Sequence, residues 1–201
     1  MEAQDNQFYR AALSLSHRHM LSSESGITEK VISDRGYCTI TDPNELKVLG
    51  FGEIQLRVPA LAIPVHNVHH RKVFTRIRPD DPRPDSKRRG KVVKYEQPFS
   101  TPAVLDVPLG AHEALQDVDV PLWIVEGEKK ADALVSRGEC AIALLGVTMW
   151  QRSGKPLPDW DHIPMVGREV YIGFDSDYRE KIDVRRQMAR LARYLDARGA
   201  V

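Results

Sequence analysis

Apolar residues along this chain follow two different rhythms, and the change falls near Leu109-Gly110. Downstream, short apolar runs alternate with helix-period stretches. The order is a run at Leu122-Trp123-Ile124-Val125, a helical pattern over about 128–137, a run over 141–145, a loop with a short helix over 148–165, a run over 169–174 and a helical stretch over about 181–198. Short apolar runs bounded by turns read as buried strands. Strands alternating with helices predict a parallel sheet with right-handed crossovers. The last helix sets Ile182, Met188, Leu191, Ala192 and Leu195 on one face, with Arg186, Arg190, Arg193 and Arg198 mostly elsewhere. The sequence stops at Gly199-Ala200-Val201, where a further strand would ordinarily begin, so the sheet is expected either to be cut or to lack an edge strand.

Upstream the pattern is less regular. Phe8, Ala11, Ala12, Leu15 and Met20 have weakly helical spacing over 8–24. A second short helix is better signalled, with Thr28 as N-cap, Val31 and Ile32 as apolar face, and Gly36 where a C-terminal cap belongs. From Tyr37 to Val107 the pattern changes to short strands and turns, including Leu61-Ala62-Ile63-Pro64-Val65, Val73 to Ile77 and a piece from Val92. Pro79, Pro82 and Pro84 lie among charges and predict an exposed loop.

The formal net charge of +1 on 201 residues conceals segregation. Between His66 and Lys94 lie Arg71, Lys72, Arg76, Arg78, Arg83, Lys87, Arg88, Arg89, Lys91 and Lys94, opposed only by Asp80, Asp81 and Asp85. A basic stretch beside an acidic site implies a polyanion that touches both. Cys38 and Cys140 are far apart and fit a reduced, cytoplasmic setting. The polar start, Met1 to Arg10, lacks the core of a signal peptide, and no run is long enough to cross a membrane.

Two downstream strands end in carboxylates: Glu126-Gly127-Glu128 after the first, Asp175-Ser176-Asp177 after the third. In an open α/β sheet the carboxyl ends of the strands form the ligand edge. Hard cations such as magnesium take oxygen ligands and keep several waters, so Glu126, Asp175 and Asp177 suit one or two such ions with phosphate oxygens completing the shell. Gly127 supplies the sharp turn that lets Glu126 project over the edge. Glu128 is a secondary ligand candidate, while Asp132, inside a helix, could simply pair with Lys129. Each motif also has a bland reading, Glu-Gly as an ordinary turn and Asp-Ser-Asp as a helix cap.

Val125 to Leu134 together with Phe174-Asp175-Ser176-Asp177 resembles the two signature motifs of the TOPRIM domain, which DnaG-type bacterial primases, topoisomerases, ribosomal-RNA maturases and certain nucleases share. Ser25-Gly26-Ile27, Arg35-Gly36-Tyr37, Leu61 to Val65, Phe74 to Arg78 and Lys94-Tyr95 resemble the upstream catalytic core of those primases and of their phage and plasmid relatives, often linked to replicative helicases. The implied fold is α/β: a TOPRIM-like parallel-sheet domain over 116–201, preceded by a smaller α+β primase-core-like region over 1–115. The resemblance implies Glu126 as the acid closest to catalysis and Asp175 and Asp177 as anchors for Mg2+ or Mn2+. It also implies that Arg76, Arg78, Lys94, Tyr95 and Lys129 line the path of template or nucleotide. The further acids that DnaG-type primases carry after this helix fall beyond Val201, and no zinc-ribbon sequence is present.

Three functions follow. The first is primase-type nucleotidyl transfer on single-stranded DNA, with nucleotides and a replicative helicase as partners. The second is a TOPRIM nuclease. The third is a non-catalytic DNA-binding replication or regulatory factor. His66, His69 and His70 invite a zinc site but lack a completing ligand and read as a polar turn. Trp150 and Trp160, which flank Gly154-Lys155-Pro156, are expected to pack their loop onto the sheet, and Cys140 to be a buried small hydrophobe.

Overall fold

The computed structural model describes residues 12–86, 88–174 and 182–201. Two sheets organise the chain. The N-terminal one is antiparallel, with β1 (Cys38–Ile40), β2 (Ala60–His66) and β3 (Lys72–Pro79) in spatial order β1-β2-β3. Every residue of β2 is buried, because both of its faces are covered. Leu61 and Ile63 pack with Leu21, Ile27, Ile32 and Tyr37, whereas Ala60 and Ala62 pack with Ile40, Leu46, Phe51 and Ile77. That explains an apolar run without alternation. Pro64 is tolerated in this central strand because β1 pairs only as far as Ala62 and the Pro64 carbonyl points to Arg35 rather than to β3.

Helix α1 (Leu15–His19) continues into a π-type turn, Met20–Glu24, so the weakly helical spacing over 8–24 corresponds, within the described residues, to a short helix and an irregular turn. Helix α2 (Glu29–Arg35) forms as its caps predict. The Thr28 hydroxyl accepts from the Val31 N–H at 3.5 Å, and Gly36 adopts φ 79° at the C-terminal end. Helix α3 (Pro43–Val48) starts at Asp42, whose carboxylate accepts from the Asn44 N–H.

After α4 (His112–Leu115), the C-terminal sheet consists of β4 (Leu122–Glu126), β5 (Cys140–Leu144) and β8 (Val170–Gly173), all parallel, in order β5-β4-β8. Alternation along β4 and β5 divides the core. Leu122, Ile124, Ile142 and Leu144 face α6 (Ile182–Ala197), whose Leu191 and Leu195 pack there with Trp150 and Trp160. Val125, Ala141 and Ala143 face α5 (Glu128–Val135) at Ala131. Trp150, Trp160 and Cys140 are buried as expected. Between β5 and β8 lie a two-stranded hairpin, β6 (Gln151–Arg152) and β7 (Lys155–Pro156), and a 3-10 turn over Pro158–His162.

The segment that joins the two sheets covers an edge of each. Asp106 and Ala143 exchange backbone hydrogen bonds of 3.0 and 2.8 Å along the outer side of β5, while the Val107 N–H donates to the His66 carbonyl. This protects β5 from strand addition. Beyond α6 the Val201 N–H donates to the Arg168 carbonyl and the Val170 N–H to the Val201 carbonyl, so α6 ends beside the amino end of β8 and starts toward the carboxyl edge. Among the described residues, no helix is long and apolar enough to cross a membrane.

Candidate functional site

Glu126 closes β4 at the carboxyl edge of the sheet, and the chain turns there through Gly127, at φ 94° and ψ 141°, directly into α5. An added Cβ at Gly127 would meet nothing within 4 Å, so the glycine is needed for its backbone angle and not for space. The Gly127 N–H donates to the Leu144 carbonyl at 2.9 Å and ties the turn to β5.

Opposite this turn stands β3. Arg76, on that strand, donates from Nη1 to Glu128 Oε1 at 2.8 Å, with Glu128 1% exposed and Arg76 8% exposed. The guanidinium also lies over the Tyr95 ring, 5.3 Å from its centroid. Its Nε is buried and unpartnered among the described residues. A cleft of about 450 Å³ opens between the two sheets, lined by Ser25, Arg76, Tyr95, Glu126, Lys129 and Leu145 among others. Lys129 Nζ reaches Ser25 Oγ at 3.4 Å, and burial, followed by the charge of Arg78, pulls the Lys129 pKa down. The cleft therefore presents a carboxylate at its floor, cations on its walls, an aromatic face and an unused guanidinium donor.

The expected residues divide accordingly. Glu126, Gly127, Glu128, Arg76, Tyr95 and Lys129 meet at the cleft. Arg78 is half-buried beside it, with Nη1 2.7 Å from Met20 Sδ, and Lys94 is exposed and does not line it. Asp175 and Asp177 lie outside the described residues. Glu128, a secondary metal candidate, is engaged by Arg76 in a buried ion pair, and Glu126 lines the same cleft. Among the described residues, no group of three His, Cys, Asp or Glu side chains is placed to hold a metal. At the edge Glu126 offers carboxylate oxygen, the donor type a hard cation takes, and the unpartnered Arg76 Nε is a donor suited to an anionic oxygen.

Asp132 corrects the sequence reading. It does not pair with Lys129 but is fully buried, accepting from Arg35 Nε at 2.5 Å, Arg35 Nη2 at 2.7 Å and the Tyr37 hydroxyl at 2.6 Å. Arg35 also binds Asp106 through both Nη atoms at 2.9 Å and the Pro64 carbonyl at 2.9 Å. Burial pushes the Asp132 pKa up while Arg35 opposes it, and burial with the neighbouring Asp132 pushes Tyr37 up. Arg35 belongs to the Arg35-Gly36-Tyr37 stretch that carries part of the resemblance, but no local signal marks it as a buried joint rather than a basic residue at a helix end.

His69 and His70 lie in the turn between β2 and β3, as the bland reading has it, while His66 ends β2. Asn67 Oδ1 accepts from the His69 and Arg71 N–H groups. His112 from α4 stacks on His70 with ring centroids 3.4 Å apart, a contact that no sequence spacing announces. Burial lowers His66 and His112 to about 4 each.

Residues 112–201 match a family described as a domain of unknown function, DUF3854. No curated protein matches the chain. Among solved structures, the Aquifex aeolicus primase (zinc-binding and RNA polymerase domains) is similar at TM-score 0.63 and 17% identity over 93% of this chain and 48% of that one. A DNA primase domain from Pseudomonas aeruginosa is similar at TM-score 0.50 and 18% identity over 84% of this chain and 57% of that one. The chain thus spans about half the length of the structures it matches, and at this identity the likeness establishes the fold: a mixed α/β arrangement with a parallel sheet, like that of primase catalytic cores.

Proposed function

We propose that this chain is the nucleotidyl-transferring core of a primase-type enzyme that acts on a single-stranded DNA template. The observation that carries the reading is the cleft itself, in which Glu126 at a parallel-strand end and Lys129 on the helix that follows lie with Arg76 and Tyr95 from the N-terminal region. On this reading Glu126, Asp175 and Asp177 hold Mg2+ or Mn2+, which when bound supplies Lewis-acid activation of an attacking 3′-hydroxyl and neutralises charge on the leaving pyrophosphate. Arg76 and Lys129 place the phosphates. The face of Tyr95 accepts a base by stacking, which is tolerant of sequence. Arg76 is held for this by Glu128, so Glu128 positions a phosphate contact instead of ligating metal. A replicative helicase as partner, and a kinship with phage and plasmid proteins of this type, belong to the same reading.

Primer synthesis from ribonucleotides on a single-stranded oligonucleotide, with Mg2+ or Mn2+ supplied, tests it. The expected result is product from the native chain and loss of at least about a hundredfold in Glu126→Gln and in Asp175→Asn, the scale of a lost electrostatic contact to the reacting groups. Synthesis that persists in both variants refutes the assignment. Cleavage of labelled DNA without synthesis would transfer the same site to the nuclease reading.

A further inference from the structure

The hairpin of β6 and β7 has a feature that folding does not ask for. Its two-residue loop, Ser153-Gly154, has positive φ at both positions, 51° and 78°, the geometry that a tight hairpin of this length prefers. The residues that flank the loop, Arg152 and Lys155, are directly paired across the two strands. Like charges in directly opposed positions destabilise a hairpin. Both side chains are exposed, and among the described residues neither has an acidic partner. A hairpin this short is marginal alone, yet its base is firmly docked. Gln151 bonds to Gln187 at 3.4 Å and accepts from Arg190 at 3.2 Å, while Arg190 lies over the buried Trp150 and the Trp150 carbonyl accepts from Trp160 Nε1 at 2.8 Å. The protein therefore holds two mutually repelling cations out from a rigid mount.

Their position gives the pair a direction. The hairpin follows β5, whose last residue, Leu144, is paired with Glu126, so the chain leaves for the hairpin from the carboxyl edge of the sheet. It packs on the middle of α6, at Gln187 and Arg190, on the opposite face of the sheet from α5 and the cleft. Arg190 of α6 adds positive charge beside it, and among the described residues Arg186 of the same helix has an exposed contact with Asp183, 3.6 Å apart.

Building on the proposed function, we infer that the hairpin Gln151–Pro156 with Arg190 is a second phosphate-contacting surface, which receives single-stranded nucleic acid as it leaves the cleft over the carboxyl edge of the sheet. Backbone phosphates separate no sequence from another, so this surface would hold the strand without reading it. It also relieves the Arg152–Lys155 repulsion, since a bound phosphate lies between two cations that otherwise face each other.

The experiment is equilibrium binding of a fluorescent single-stranded oligonucleotide over a range of salt, using the full chain, Arg152→Gln/Lys155→Gln and Arg152→Glu. Each lost phosphate contact lowers the slope of log affinity against log salt by about 0.7, so the double variant should lose about 1.4 and bind roughly three- to tenfold more weakly at moderate salt. Arg152→Glu creates an opposite-charge pair with Lys155, so it should raise Tm slightly while weakening binding, a combination that damage to the fold cannot produce. Unchanged slope and affinity in the double variant, with the native chain binding, would overturn the hairpin surface and leave the proposed function standing. A native chain that binds no single strand would overturn both.

Discussion

Arg35 and Arg76 both reach from the N-terminal antiparallel sheet region to a carboxylate on α5, yet they differ in what is left over. Arg35 is 2% exposed and spends its guanidinium on Asp106, Asp132 and the Pro64 carbonyl, with Tyr37 completing Asp132. Arg76 is almost as buried but makes one ion pair, leans over Tyr95 and leaves Nε unused at the wall of an open cleft. A buried charge that is fully satisfied joins parts of a fold. One that keeps an unmet donor beside solvent costs free energy until a ligand arrives. The same pairing of residue types thus serves as a joint in one place and, on the proposed function, as a receptor in the other.

The comparison is most sharply tested at Arg35. Arg35→Ala strands Asp106 and Asp132 in the interior and should cost about 3–5 kcal/mol, read as a lower urea midpoint. Arg76→Ala should cost less, about 1–3 kcal/mol, because Glu128 keeps access to the cleft, but it should weaken oligonucleotide binding. Arg76→Lys should recover most of the stability and little of the binding, since an ammonium provides neither the planar fork nor the stacking surface over Tyr95. Equal destabilisation by the two alanine variants, with binding intact in Arg76→Ala, would erase the distinction.

A smaller effect comes with acid. His66 lies next to the Arg35 joint, its N–H donating to Asp106 Oδ1, and burial followed by the Arg35 charge lowers its pKa to about 4; His112, lowered by burial and by His70, behaves alike. A base whose pKa is lower folded than unfolded binds protons preferentially when unfolded. The stability it contributes is present above the ordinary value of about 6.5 and is lost as pH falls from there toward 4. The loss should be on the order of 1–2 kcal/mol for the two together after solvent screening, seen as a falling Tm over that range and reduced in His112→Gln.

Much of the fold could be read from the sequence because its signals are local. Thr28 and Gly36 bound α2 because a hydroxyl and a positive-φ glycine act within one turn. The apolar runs at 122–126 and 140–144 became adjacent parallel strands because a helix of suitable length separates them. Gly127 marked its turn for the same reason. What escaped is non-local. Asp132 meets a partner 97 positions away, Glu128 one 52 away, and His70 stacks on a residue from α4. In a linear reading Asp132 and His70 are only a charged and a polar residue on a helix or turn and Glu128 is a secondary ligand candidate, and burial changes the meaning of each. Lys94 differs the other way: it adjoins Tyr95 in sequence but is exposed and does not line the cleft.

The Arg35 joint also bears on how the molecule could be divided. Its charge comes from α2 and its counter-charges from the segment before α4 and from α5, so neither half of the chain can close its interior alone. A cut in the exposed stretch around Gly90 should therefore yield two fragments that fail separately and recover a native-like fold when refolded together. The chain would then behave as a self-complementing pair of pieces, which could be split and rejoined at will.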